Sequence, residues 1–147
     1  MSILARQVAL LCEEPDLIAA LSNISACLNQ HFTDINWVGF YLYKNDELVL
    51  GPFQGKVACT HIPMGKGVCG TSAAKQESII VPDVHAFSGH IACDSVSASE
   101  LVVPIIKDGK LFGVIDIDSP LKARFSAEDK TIIEEVADTM AKKLRLF

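Results

Sequence analysis

The chain of 147 residues has no apolar run near the length of a bilayer span, which takes about 20 residues. Its first apolar stretch, Val8 to Cys12, is too short for the core of a secretion signal and runs straight into Glu13 and Glu14. It is read as part of an amphipathic helix in a cytoplasmic protein. An excess of positive charge is also lacking. Thirteen Lys and Arg stand against 18 Asp and Glu, a net charge of −5, and no basic patch carries interleaved aromatics, so a nucleic-acid or membrane-surface partner is not expected. The cysteines number five, an odd count, so a fully paired extracellular framework cannot be complete. In a cytoplasmic setting thiols stay reduced unless they are catalytic or metal-bound. Internal repeats, linkers and low-complexity tracts are missing, and the expected organisation is a single domain over 1–147.

What is present changes period along the chain. Residues 3–13 and 16–31 repeat helically, with Leu4, Val8 and Leu11 on one face of the first and Leu17, Leu21, Ile24 and Leu28 on one face of the second. Pro15 and Asp16 open the second helix. From Ile35 the period is two: Val38, Phe40 and Leu42 share one face, Trp37, Gly39 and Tyr41 the other. Asn45-Asp46 turns the chain into a partner strand, Glu47–Leu50, and Val57–Ile62, with Cys59 on it, is the next candidate strand. Gly65 to Gly70 is a glycine-rich turn into a short helix ending near Gln76, without the spacing of a phosphate-binding loop. A short strand, Ser78–Val81, stops at Pro82. Residues 83–99 form a long loop. Leu101–Ile106 and Leu111–Asp118 pair across Asp108-Gly109, a strong hairpin signal. Ser126 and Asp129 make a capping box for a last helix to about Leu146, striped by Ile132, Val136, Met140 and Leu144. The expected fold is α+β: a mostly antiparallel six-stranded sheet, N- and C-terminal helices on one face, and on the other a pocket covered by the 83–99 loop.

The chemistry concentrates on that second face. Cys12 and Cys27 lie in helical stretches and read as buried small hydrophobes. Cys93 sits instead in the polar loop His85 to Glu100, among His85, His90 and Asp94. Cys69 opens a helix, where the macrodipole would lower a thiol pKa. Local physics does not rank the two, and Cys59 has no evident partner. Asp116 and Asp118 point to the same face of their strand, with Glu100 within reach at the start of the preceding one. They are either an exposed polar face or a buried cluster in which one carboxyl keeps a proton near neutral pH. His85, His90 and Cys93 match no standard zinc spacing, and no metal is expected.

Five blocks in order carry a family resemblance: Gly65-Lys66-Gly67-Val68-Cys69-Gly70-Thr71; Asp83-Val84-His85; Gly89-His90-Ile91-Ala92-Cys93-Asp94; Ser99-Glu100; and Gly113-Val114-Ile115-Asp116-Ile117-Asp118-Ser119-Pro120. Over nearly the whole chain the sequence resembles the free methionine-(R)-sulfoxide reductases, enzymes built on a stand-alone GAF domain. The resemblance implies that Cys93 is the nucleophile, Cys59 the main resolving thiol, and Cys69 the third thiol that helps recycling. It implies that Glu100, Asp116 and Asp118 engage the sulfoxide oxygen and the substrate, with Trp37 and Tyr41 as the aromatic wall around its methyl end. Free methionine sulfoxide would be the substrate and thioredoxin the reductant. No further cofactor would be needed, and the family suggests a homodimer. Two rivals are a GAF-type sensor that binds a small ligand without chemistry, which needs no set of three reactive thiols, and a peroxide-reacting thiol protein, which needs no aromatic-and-acid pocket.

Overall fold

The computed structural model describes residues 1–89 and 96–147. Two helices, α1 (Ile3–Leu11) and α2 (Leu17–His31), lead into strands β1 (Trp37–Lys44), β2 (Glu47–Gly55) and β3 (His61–Pro63). Helix α3 (Gly67–Lys75) and strand β4 (Ile79–Val81) follow, then a single 3₁₀ turn, Val84–Ala86. Strands β5 (Ser99–Lys107) and β6 (Lys110–Ser119) and helix α4 (Ala127–Lys143) complete the order. The strands form one six-stranded antiparallel sheet, β3-β2-β1-β6-β5-β4. The fold is α+β, as its pattern predicts. No helix among the described residues is long and apolar enough to cross a membrane.

Local chemistry accounts for most boundaries. Asp16 caps α2 by accepting from the Ala19 amide. Ser126 and Asp129 form the expected capping box at α4. Both long hairpins turn on two residues of positive φ, Asn45-Asp46 (53° and 63°) and Asp108-Gly109 (52° and 77°), the geometry that matches the twist of the paired strands.

The period of two splits the sheet into two cores. On one face Val38, Phe40, Leu42, Leu101, Val103, Ile105, Ile115 and Ile117 pack under α1, α2 and α4. On the other, Trp37, Tyr41, Val102 and Val114 pack with Val68 and Cys69 of α3.

Three expected boundaries differ by three residues or more. Strand β2 continues past Leu50 to Gly55, because Gly51 and Pro52 are absorbed in a bulge opposite Phe40 and pairing resumes at Phe53 with Gly39. Strand β3 is only His61–Pro63, so Cys59 lies in the loop before it rather than on a strand. Helix α4 stops at Lys143, where Leu144 turns extended and both Leu144 and Leu146 are buried; its buried stripe is Ile133, Val136, Ala137 and Met140, with Ile132 half-buried.

Candidate active site

Register aligns the acids. Asp118 on β6 faces Trp37 on β1 and Glu100 on β5 in one rung of the sheet, and Asp116 faces Gly39 and Val102 in the next. All lie on the face away from α1, α2 and α4. Gly39 lets Phe53 approach closely in that rung, since a Cβ there would run into the Cβ of Phe53. Together with α3 and the Cys59 loop these strands enclose a cleft of about 550 Å³, counting its open mouth. Trp37, Tyr41, Cys69, Glu100, Asp116 and Asp118 all line it.

The acids are buried rather than a solvated sheet face. Glu100 is 6% exposed and Asp116 5%, with Asp118 half-buried. Burial is the main cause that pushes the Glu100 carboxyl far above the usual range, and the charges of Asp116 and Asp118, with which it also shares hydrogen bonds, push it the same way. Three carboxyl groups in so dry a space cannot all ionise cheaply, and the burial of Glu100 beside two aspartates favours its neutral form.

Cys69 corrects its local reading. It is the third residue of α3, but the helix dipole does not win there. The thiol is buried, its Sγ is 3.8 Å from Oε2 of Glu100, and burial followed by Asp116, Glu100 and Asp118 drives its pKa well above that of a free thiol. A neutral thiol, not a thiolate, sits in this cleft.

The aromatic wall is larger than its sequence signal. Trp37 stacks on Tyr41 at 5.8 Å between centroids and on Phe53 at 5.1 Å. Phe53 was hidden behind Gly51-Pro52, which reads locally as a strand end. The alternation Leu48, Leu50, and then Phe53 after the bulge is the signal that could have found it. The Trp37 indole donates to the Lys56 carbonyl at 3.1 Å, and the Tyr41 hydroxyl to the Cys59 carbonyl at 2.9 Å. Burial, then the nearby carboxylates with Asp116 foremost and the Cys69 thiol, raises the Tyr41 pKa, so its hydroxyl remains a donor.

The thiols fall into distinct settings. Cys59 is disulfide-bonded. Cys12, Cys27 and Cys69 are free. Cys12 is buried and its thiol is pushed up to about 11, while Cys27 is half-buried; neither lines the cleft. Cys93, His90 and Asp94 lie outside the described residues. His85 is exposed, and its backbone amide donates to Asp83. The flanks of the 83–99 loop are fastened to the site's frame. The Gly67 amide donates to the Gly89 carbonyl, the Val84 amide to the Ala98 carbonyl, and the Asn36 side chain to Ser97, which lines the cleft.

Among the described residues one grouping brings ligand-type atoms close enough for a metal ion: Cys69, Glu100 and Asp116, within 4.8 Å of one another. It is not the His85, His90 and Cys93 set weighed from spacing. The same side chains already hydrogen-bond to one another across the cleft floor.

The GAF domain family profile matches residues 16–144. The chain is 48% identical over 136 residues to the free methionine-R-sulfoxide reductase of Escherichia coli, covering 92% of this chain and 82% of that one. It superposes with a TM-score of 0.91 on the fRMsr of Staphylococcus aureus in complex with its substrate, at 53% identity over 97% of this chain and 94% of that one. With the free methionine-R-sulfoxide reductase of Neisseria meningitidis, also in complex with its substrate, the TM-score is 0.92 at 44% identity, over 97% and 87% of the two chains.

Proposed function

Because the chain belongs to the GAF domain family and, within it, to the free methionine-R-sulfoxide reductases, we propose that it reduces free L-methionine (R)-sulfoxide to methionine, with residues 1–147 acting as one catalytic unit. The observation that carries the reading is the buried cluster of Glu100 and Asp116, with Asp118 beside them, lining one cleft with a wall of stacked rings. A zwitterionic amino acid with an apolar thioether end suits such a cleft. Its ammonium group finds carboxylates and its methyl end finds aromatic faces.

The chemistry follows from these parts. The Cys93 thiolate attacks the sulfoxide sulfur while Glu100 gives its proton to the departing oxygen. The oxygen then passes to the Cys93 sulfur as the substrate's sulfur–oxygen bond and the new sulfur–sulfur bond both break, so methionine leaves and Cys93 is left as a sulfenic acid. The Cys59 thiol then displaces that hydroxyl as water and a disulfide forms. An external dithiol of the thioredoxin class returns both cysteines to thiols by exchange. A disulfide at Cys59 while Cys69 stays a free, neutral thiol supports giving the resolving role to Cys59.

The test is turnover with thioredoxin on free R-sulfoxide, free S-sulfoxide and the R-sulfoxide inside a peptide. Only the first should be reduced at an appreciable rate, and Cys93→Ser should abolish the single-turnover release of methionine. Equal rates on the peptide would show a cleft open at both ends and sink the reading. A surviving burst in the serine variant would move the nucleophile elsewhere.

A further inference from the structure

The loop that carries Cys59 is fastened to the cleft's own aromatic wall. The chain leaves β2 at Gly55, whose φ of 139° lies outside the range side-chain-bearing residues favour, and a Cβ there would run into the Trp37 ring. The loop therefore lies directly on the indole. Two hydrogen bonds from buried donors then hold it: Trp37 Nε1 to the carbonyl of Lys56 at 3.1 Å, and Tyr41 Oη to the carbonyl of Cys59 itself at 2.9 Å. Val57, between the two anchored carbonyls, is 89% exposed. Its side chain adds almost no buried surface; Ala58 and Cys59 are half-buried against the cleft-side core and the Leu50 amide holds the Thr60 carbonyl at 2.9 Å, so the two anchors fix the stretch between Gly55 and Thr60.

We propose that Trp37 and Tyr41 are positioning residues for the resolving thiol, holding the Cys59 loop at the height from which its sulfur reaches the oxidised nucleophile. This rests on the functional reading above and adds to it a second task for side chains otherwise assigned to the substrate wall. The step concerned is closed in atoms and electrons. The Cys59 sulfur attacks the sulfenic sulfur of Cys93, the S–S bond forms as the S–O bond breaks, and the hydroxyl leaves with the thiol proton as water. No outside oxidant enters. Its rate depends on how often the Cys59 sulfur stands in attacking position, which is what the two anchors control.

The variants are Tyr41→Phe, which keeps its ring and removes only the donor, and Trp37→Phe, which removes the indole donor and leaves a smaller ring in the wall. Reduced protein is mixed with one equivalent of free methionine (R)-sulfoxide. Methionine release, sulfenic acid captured by dimedone, and loss of free thiols are then followed in time. Disulfide closure in Tyr41→Phe should slow about tenfold, the scale of one well-placed hydrogen bond, and should slow more than methionine release does, so that sulfenic acid accumulates. Tyr43→Phe, which loses only a surface bond to Asp46, should close at the wild-type rate. Equal slowing of release and closure in Tyr41→Phe would leave these residues as substrate wall alone, and closure at the wild-type rate would remove the anchor; either overturns the proposal. A wild-type protein that releases no methionine would overturn the functional reading instead. Closure timed after one equivalent of hydrogen peroxide then decides the anchor without substrate, with the same tenfold difference expected.

Discussion

The two faces of the central sheet are made from the same strands one residue out of step, and they are built from opposite materials. Ile115 and Ile117 of β6 face the helices together with Val38, Phe40, Leu42, Leu101, Val103 and Ile105. Asp116 and Asp118 of the same strand face the cleft, with Glu100 from β5. Both faces are largely shut off from water, so the usual division into an apolar inner and a polar outer face does not apply. Burying carboxyl groups destabilises a fold unless they are neutral or partnered. Here the Glu100 carboxyl is pushed toward its neutral form and hydrogen-bonds to both aspartates. The helix face can offset what remains, because it is packed from three sides by α1, α2 and α4. Stability and chemistry are thus assigned to opposite sides of one strand, and neighbouring substitutions should separate them.

The largest effect on folding is expected from Ile117→Ala, between the two aspartates but pointing to the helices. A fully buried isoleucine cut to alanine costs about 2–5 kcal/mol. Denaturant unfolding should show that loss. A cost under about 1 kcal/mol would mean the helix core is not what holds the sheet.

The opposite face should respond in rate. Glu100→Gln keeps the shape and removes the transferable proton, and Asp118→Asn removes a charge that keeps that proton in place. Each should slow single-turnover methionine release by roughly a hundredfold, the usual scale for losing a general acid. Both should melt no lower than the parent. Near-normal rates in both would pass the proton's delivery to a histidine of the loop or to water.

A smaller, continuous effect lies in the pH dependence. Glu100 has a folded pKa raised well above its unfolded value of 4.5. Between those two values the folded state binds the extra proton, so stability falls as pH rises through that window. Its contribution is whole below the unfolded pKa and lost once pH passes the folded one. Glu100→Gln should remove that part of the slope. An unchanged stability profile from pH 5 to 8 in the variant would mean Glu100 is ionised in the native protein.

Much of this division can be read from local pattern. The alternation that puts Val38, Phe40 and Leu42 against Trp37 and Tyr41 is a backbone period, and Asp108-Gly109 and Ser126 with Asp129 act through bonds to near neighbours. What could not be read depends on distant chain. Cys69 has the local marks of an activated thiol, and only the packing of α3 over β5 and β6 reveals the carboxyl groups beside it. Phe53 and the loop position of Cys59 follow from a bulge that pairing with β1 tolerates, although Gly51-Pro52 alone suggests a strand end. That Asp116 is buried rather than solvated depends on α3 covering it, which no spacing within β6 encodes.

The finest test of the separation sits far from the cleft, at the start of α4. The Ser126 hydroxyl accepts from the Asp129 amide at 3.1 Å, and Asp129 accepts in return from the Ser126 amide at 2.9 Å while meeting Arg124 at 3.4 Å. Ser126→Ala removes one half of the box and leaves the Asp129 amide without its cap, at a cost of about 1 kcal/mol. For a chain of this size that is roughly 2–4 °C in melting temperature. Helix α4 packs on the sheet through Ile133, Val136 and Met140, its Glu134 accepts from Ser78 beside β4, and none of its own residues lines the cleft. Methionine release in a single turnover should therefore be unchanged at a temperature where both proteins are fully folded. If the rate fell along with the melting point, strain at α4 would be reaching Glu100 through β5, and the two faces would be one cooperative unit rather than a support and a site.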